Sequence, residues 1–399
     1  MLQSWRDRLR GSEVWTVNLL ILATSTFLYR MGQGLLTGVS TNFYVNELGM
    51  SGSEVLWLTG IREIPGLFLM FIAALVMDRP LASRGAVSLI LMGIGYGLHA
   101  VVNSYAALIA VALIASLGFH NWMPLESSLG LGLSPKGKSG RVLGSLQSIG
   151  ALASIVGIGL ITITASFISL RAFCAVGGVA MVLAGVFVAR LPRNIGNTSK
   201  EKPRLLMKKR YWLYYVLIFF EGSRVQVFNA FGTLILVQNY GLDAKAISAI
   251  LALSGVVNFW LVPKLGNLID RYGERGTMTA SYLALVLCFI GYATVHNVWF
   301  LAGTLICINL LVTLSIGLST YVHRIAPPEE LTPTLSAGVS VNHITSVSMS
   351  LVAGTLLRVV GYEKLCWGAA ALILISVPFA MAMKAVAPVI ARTEPASAE

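Results

Sequence analysis

The sequence predicts an all-α membrane protein, with twelve transmembrane helices in two pseudo-twofold-related six-helix bundles. Three observations predict it. The 399 residues are 56% hydrophobic and only 12% charged, about half the ~25% of a soluble domain. Apolar runs of spanning length recur along the whole chain. Landmark residues in the two halves recur at nearly constant offset. Mean hydropathy is +0.77, which excludes a disordered chain, a coiled coil or a disulfide scaffold and argues against a soluble enzyme, whose single core could not hide so much apolar surface.

About 20 apolar residues carry a helix across the hydrocarbon. By that criterion spans fall near 15–45, 54–77, 86–102, 106–132, 142–167, 170–190, 212–239, 246–266, 277–295, 298–322, 334–358 and 364–386. The runs are too long and too evenly apolar for the alternating strands of a membrane barrel. The start, MLQSWRDRLRGSEVW, reads as a basic cytoplasmic tail rather than a cleavable signal, because no small-residue cleavage site follows.

The formal net charge of +12 sits in the loops, so it speaks to topology and not to a nucleic-acid partner. Arg6, Arg8, Arg10, Arg79, Arg84, Lys136, Lys138, Arg141, Lys264, Arg271, Arg275, Arg324, Lys384 and Arg392 fall on one side, and only Arg171, Lys245, Arg358 and Lys364 on the other. Both termini are therefore expected in the cytoplasm, the chain lying in a bacterial cytoplasmic (inner) membrane. A basic, Pro-containing cytoplasmic linker at 191–211 separates an N-terminal six-helix bundle, 1–190, from a C-terminal one, 212–399, with a short cytoplasmic tail. The cysteines, Cys174, Cys288, Cys307 and Cys366, make no CxxC or zinc spacing and read as small apolar residues.

The halves echo each other. Asp78-Arg79 after the second span returns as Asp270-Arg271 after the eighth, 192 residues on. Arg30 and Gly38 of the first span return as Arg224 and Gly232 of the seventh, and Gly144 as Gly338, each 194 residues on. A six-plus-six duplication suits a transporter whose halves alternate access to a central site.

Gly266-Asn-Leu-Ile-Asp270-Arg271-Tyr-Gly273-Glu-Arg275 resembles the G-x-x-x-D-R-x-G-R-R loop signature of the major facilitator superfamily. The first-half copy is weaker, with Ala74 in place of the glycine and Pro80-Leu81-Ala82-Ser83-Arg84 departing from the tail. In architecture the resemblance covers the whole chain, and it implies the superfamily fold with no indication of substrate. A carboxylate beside an arginine at the inner end of a helix can hold basic groups and helix ends in one state and release them in another. Asp78, Arg79, Asp270 and Arg271 are therefore expected as gating residues, the plainer alternative being topology anchors. The fifth span, GSLQSIGALASIVGIGL, lacks the Gly-Pro of drug antiporters, which leaves direction open.

Ionisable residues within spans cost roughly 2.5–3.5 kcal/mol each on insertion scales, so each is a site hypothesis. Arg30 and Arg224 fall near mid-depth at duplication-equivalent positions. A pair of guanidiniums suits carboxylate or phosphate, and the arrangement is similar to the paired arginines of the superfamily's organophosphate and phosphate antiporters. Expected substrate contacts are Arg30, Arg62, Arg224 and Asn342; expected proton-coupling groups are Glu63, Glu221 and His120. The competing reading is mutual neutralisation, since Glu63, Glu126 and Glu221 balance Arg30, Arg62 and Arg224, and Glu221 lies an i,i+3 step from Arg224. Pro124 is expected to bend the fourth span near His120. His120, Glu126 and His343 show no metal-ligand spacing, so no metal is expected.

No GxxxxGK[ST], HExxH or GxSxG occurs, so neither an ATP motor nor an enzyme is expected, and no cofactor. The function expected is secondary active transport of a small organic solute, an organic anion among the options, coupled to protons or to a counter-solute. The alternatives are a proton-driven exporter of drug-like or amphipathic compounds and, from another class, a non-transporting sensor or accessory protein. Small solute, proton or counter-solute and lipid bilayer are the expected partners of a monomer.

Overall fold

Helix starts follow local side-chain chemistry. Thr16 accepts from the Leu19 N–H at 3.2 Å and opens α1, Val17–Asn42. Ser104 does the same for Tyr105–Gly132, Ser169 for Leu170–Ala189, and Asn297 for Val298–Val312. Each side chain satisfies an N–H that the first turn leaves open. Ser51 and Glu54 form a reciprocal box, Ser51 N–H to the Glu54 carboxylate at 2.8 Å and Glu54 N–H to the Ser51 hydroxyl at 3.3 Å.

The computed structural model describes residues 15–69, 75–76, 79–135, 138–195 and 207–384. Among these there is no strand. After α1 come α2 (Gly52–Ile61), α3 (Ile64–Leu67), α4 (Leu81–Gly97), α5 (Tyr105–Gly132), α6 (Ser139–Thr164), α7 (Leu170–Ala189), α8 (Trp212–Gln238), α9 (Ala244–Thr294), α10 (Val298–Val312), α11 (Ile316–Ile325) and α12 (Pro328–Met381). Residues 196–206 of the expected linker, the basic tail before residue 15, and Asp78 lie outside the described residues.

Among the described residues, seven helical stretches are long and apolar enough to cross a membrane. Two of them, Ala244–Thr294 and Pro333–Met381, have 51 and 49 residues, about twice what one crossing needs. Each carries a glycine with positive φ: Gly273 at φ 75° and Gly361 at φ 80°. A side chain is strained there, so these two glycines end one helix and begin the next. Helices α1 and α8 are not among the seven; they carry Arg30, and Glu221 with Arg224, within otherwise apolar runs.

Three irregularities were not anticipated. The end of α1 widens into a π turn, Phe43–Glu47. The second expected span is interrupted at Arg62-Glu63, between α2 and α3. Pro65 in the first turn of α3 lacks an N–H and crowds the carbonyl four residues before it, which breaks the ladder at this place. By contrast Pro124 lies inside one continuous helix, α5. Finally, a 3₁₀ turn, Thr313–Ser315, separates α10 from α11.

The contacts sort into two units. The first holds residues 1–50, 61–200 and 242–252; the second holds 51–60, 201–241 and 253–399. In the first, α1 packs on α6 and α7, and α4 on α5 and α7. Its core is Leu19, Leu22, Tyr29, Leu89, Met92, Trp122, Met181 and their neighbours. Backbone-close packing rests on glycine: a Cβ on Gly93 would stand 2.6 Å from the Gly178 carbonyl. In the second unit α8 packs chiefly on α12, and Trp57 donates to the Thr355 hydroxyl at 3.3 Å.

The second unit also fixes the end of the linker. Glu330, at the start of α12, accepts from Lys208 Nζ at 2.7 Å and from the Tyr211 hydroxyl at 2.8 Å, and pairs with Arg210. Arg210 first, then Lys208, hold its carboxyl down to about 2, below its ordinary 4.5. A depressed carboxyl contributes stability that is present above its unfolded value and is lost as pH falls toward the folded one. The expected outcome is that the melting-temperature difference between the protein and Glu330→Gln is constant near neutral pH and shrinks from about pH 4.5 to about pH 2. A difference that does not change with pH would show that the pair adds nothing.

Candidate functional site

Each unit holds an arginine–glutamate pair on one of the two helices at the 194-residue offset, α1 and α8. In the first, Arg30 of α1 meets Glu126 of α5, Nη2 to Oε2 at 3.3 Å. Thr26 donates to the other carboxylate oxygen at 3.2 Å, and Arg30 Nη1 donates to Gln33 Oε1 at 3.4 Å. The guanidinium lies over the Tyr29 ring, 4.9 Å from its centroid. Gly150 of α6 leaves room for the arginine stem, since a Cβ there would stand 3.1 Å from Arg30 Cγ. Arg30 is 30% exposed, so the guanidinium is accessible as well as paired.

In the second unit the pair lies within one helix. Arg224 and Glu221 of α8 are one i,i+3 step apart and in contact, and both are buried. The Arg224 guanidinium stacks 4.0 Å above the Tyr282 ring of α9. Arg224 Nε and Nη1, Glu221 Oε1 and the Tyr282 hydroxyl are buried without a hydrogen-bond partner. Such groups cost about 1–3 kcal/mol each when unmet, so this cluster is a natural place for water or a ligand acceptor. Asn342 of α12 borders the pair: its carbonyl lies 2.7 Å from where a Gly222 Cβ would stand, and Ser346 donates to the Gly222 carbonyl at 3.2 Å.

Glu63 and His120 are brought together at the interruption between α2 and α3. His120 Nε2 lies 3.4 Å from Glu63 Oε2, and Nδ1 lies 2.9 Å from the Ser116 carbonyl and 3.0 Å from its hydroxyl. Ser116 also donates to the Arg62 carbonyl, which the break in the helix leaves open. The imidazole is 3% exposed. A carboxylate, an imidazole and a hydroxyl in sequence can pass or store a proton. Glu126 is held by Arg30 rather than by His120.

Of the expected gating residues, Arg79, Asp270 and Arg271 are exposed. Arg271 stacks on the ring of its neighbour Tyr272, 5.4 Å to centroid. Arg79 lines, with Arg84, Ser83 and Arg193, a cavity of about 500 Å³ in the first unit. The ion pair near the signature is one that sequence reading missed. Glu274 is 7% exposed and takes Arg324 of α11 in two contacts, Nη2 to Oε2 at 2.8 Å and Nε to Oε1 at 3.3 Å. The signal was present, because Glu274 stands where the signature has its first terminal arginine.

The profile of the Major Facilitator Superfamily matches residues 22–332 and 214–398, and the chain belongs to that superfamily. It is an integral multi-pass membrane protein with the superfamily's all-α fold. Solved structures with this fold include the nucleoside transporter NupG, with 16% identity, TM-score 0.76, and coverage of 92% of this chain and 99% of that one. The D-xylose-proton symporter gives 11%, 0.72, 92% and 97%. A human organic anion transporter gives 13%, 0.62, 92% and 100%. A search of curated proteins gave no significant match.

Removing the Glu274 charge strands Arg324, which is 29% exposed. Glu274→Gln is expected to lower stability by about 1–3 kcal/mol, read from thermal unfolding in detergent. The exchange Glu274→Arg with Arg324→Glu should recover most of it. No recovery would mean that the site tolerates only one order of charges.

Proposed function

We propose that the protein is a secondary active transporter that moves a small organic solute, an organic anion being the class best matched, by alternating access with proton coupling. The observation that carries this reading is the arginine–glutamate pair held in each unit near the middle of duplication-equivalent helices, Arg30–Glu126 and Arg224–Glu221. A guanidinium held by one carboxylate keeps donors for a second, and an incoming anion can take the place of the first. The open donors of Arg224 support the same reading. Arg30, Arg224 and Asn342 are assigned to substrate. Glu63 and His120 are assigned to the proton, with Glu221 accepting it when substrate displaces its arginine.

Asp78, Arg79, Asp270 and Arg271 remain the gate in this reading. The residues 1–190 and 212–399 are taken as the two duplicated halves, joined by 191–211, in a monomer with both termini in the cytoplasm of the inner membrane.

One observation favours export of apolar or amphipathic compounds as a second reading. The second unit has a cavity of about 210 Å³ beside Arg224, walled by Phe228, Phe231, Phe289 and Met349. Mostly apolar walls with two polar residues, Ser223 and Arg224, suit an amphiphile.

The test is transport in proteoliposomes with a trapped pH dye, over organic acids, phosphate esters, amines and lipophilic cations. Arg30→Lys and Arg224→Lys are each expected to lower transport efficiency roughly 10- to 100-fold, because a lysine cannot reproduce the two-pronged contact. Glu63→Gln is expected to abolish substrate-driven proton movement while isotope exchange persists. Full transport by both lysine variants would sink the anion reading, and movement of lipophilic cations alone would favour the second.

A further inference from the structure

Arg62 takes part in neither ion pair. Its guanidinium meets the Tyr44 hydroxyl and lines a cavity of about 90 Å³ within the first unit, together with Gln33, Thr37, Tyr96 and His99. Among the described residues no carboxylate forms an ion pair with it. Glu63 acts on the guanidinium only through space, and a cation inside a membrane bundle without a direct carboxylate contact favours an anion beside it.

The two irregular elements of this unit both build the cavity. The π turn brings consecutive residues Phe43 and Tyr44 inward, 0% and 6% exposed. The interruption after α2 supplies Arg62. π turns and broken helices are departures that commonly accompany binding sites.

His99 decides what kind of ion fits. It is 2% exposed, and its Nδ1 lies 2.9 Å from the Gly95 carbonyl. A carbonyl only accepts, so Nδ1 carries the proton, and Nε2 of the neutral ring presents a lone pair. Nε2 has no partner although it is buried. The cavity therefore offers a cationic donor at Arg62 and an acceptor at His99. Gln33 also lines the cavity, with its carbonyl oxygen used by Arg30 and its side chain also meeting the Tyr29 hydroxyl.

We propose that this cavity is a binding site for a small oxyanion that keeps an O–H group, such as hydrogencarbonate or dihydrogen phosphate. The anionic oxygen sits on Arg62 and Tyr44, and the O–H donates to His99 Nε2. A halide or a fully deprotonated oxyanion satisfies Arg62 and leaves His99 unmet. The ion comes either free from solution or as the protonated terminal group of a phosphate monoester. The site is separate from Arg30 and Glu126, and Gln33 links the two.

The experiment is thermal unfolding of the purified full chain in detergent, at fixed pH, cation and ionic strength. Phosphate, hydrogencarbonate, methyl phosphate, sulfate and chloride are titrated in turn. Sulfate is the control, because it strengthens burial generally as phosphate does and carries no O–H at neutral pH. Phosphate and hydrogencarbonate are expected to raise the melting temperature saturably, at about tenfold lower concentration than sulfate or chloride, the value of one hydrogen bond to a charged group. His99→Phe should erase that preference, and Tyr44→Phe should raise the half-saturating phosphate concentration several-fold. Arg62→Gln should remove saturation altogether; if it does not fold, the His99 and Tyr44 variants decide. Methyl phosphate binding as phosphate does assigns the site to a headgroup, and binding of the free ions alone assigns it to inorganic ion. Equal effects of sulfate and phosphate, or a phosphate response unchanged in His99→Phe, would overturn the proposal, whatever the transport assay gives.

Discussion

A charge inside an apolar bundle must be answered locally, and much of this molecule is arranged around that requirement. Arg30 is answered by Glu126, Gln33 and the Tyr29 ring, and Arg224 by Glu221 and the Tyr282 ring. These clusters fix which faces of α1 and α8 turn inward, and they explain why the two helices are too polar to read as simple spans. The two solutions differ in kind. Arg30 reaches across to another helix and stays partly exposed, whereas Arg224 is closed against its own helix. The two arginines at the 194-residue offset thus share a charge and differ in the kind of partner.

A second constraint comes from the backbone. Every interruption of a helix leaves carbonyls without donors, and each must be met. Arg171 donates to the Ala100 and Val102 carbonyls at 3.0 and 2.8 Å where α4 ends in a 3₁₀ turn. Ser116 serves the Arg62 carbonyl at the break after α2. Arg324 gives one donor to the Lys384 carbonyl at 3.2 Å while holding Glu274. Irregular backbone is tolerated inside a membrane protein only where it is enclosed by such partners or lines a polar cavity. That is why the breaks and the chemistry-bearing residues coincide.

Much of this was legible in the sequence, and the reason lies in its periodicities. Span length and the offset between Arg30 and Arg224 point to the fold, because each is set by the bilayer or by a repeat of the chain. The i,i+3 spacing of Glu221 and Arg224 made their contact readable. The Arg30–Glu126 and Glu63–His120 contacts join residues 96 and 57 apart, and nothing local encodes which helix faces which. The break at Arg62-Glu63 was signalled by Pro65, but a length criterion for apolar runs passes over a two-residue gap. The π turn at Phe43–Glu47 left no pattern at all. Glu274 was visible as a departure from the loop signature; its partner Arg324, 50 residues on, was not.

Adjacent residues at one break show how local geometry separates tasks. In a continuous helix Arg62 and Glu63 would sit about 100° apart on one rod. The simplest outcome would then be neutralisation by whatever helix lay nearest. Instead the chain leaves the helix between Ile61 and Ile64, and the two side chains take different direct partners, Glu63 acting on Arg62 only through space. Glu63 goes to His120, and Arg62 goes to Tyr44 and the small polar cavity. Had they paired with each other, both charges would be spent and neither could respond to a proton or an ion. Keeping them apart leaves the guanidinium without a direct carboxylate contact, and His99 Nε2, beside the same cavity, is unpartnered. A fold that retains both, with a cavity between them, is arranged to be completed by something that binds there.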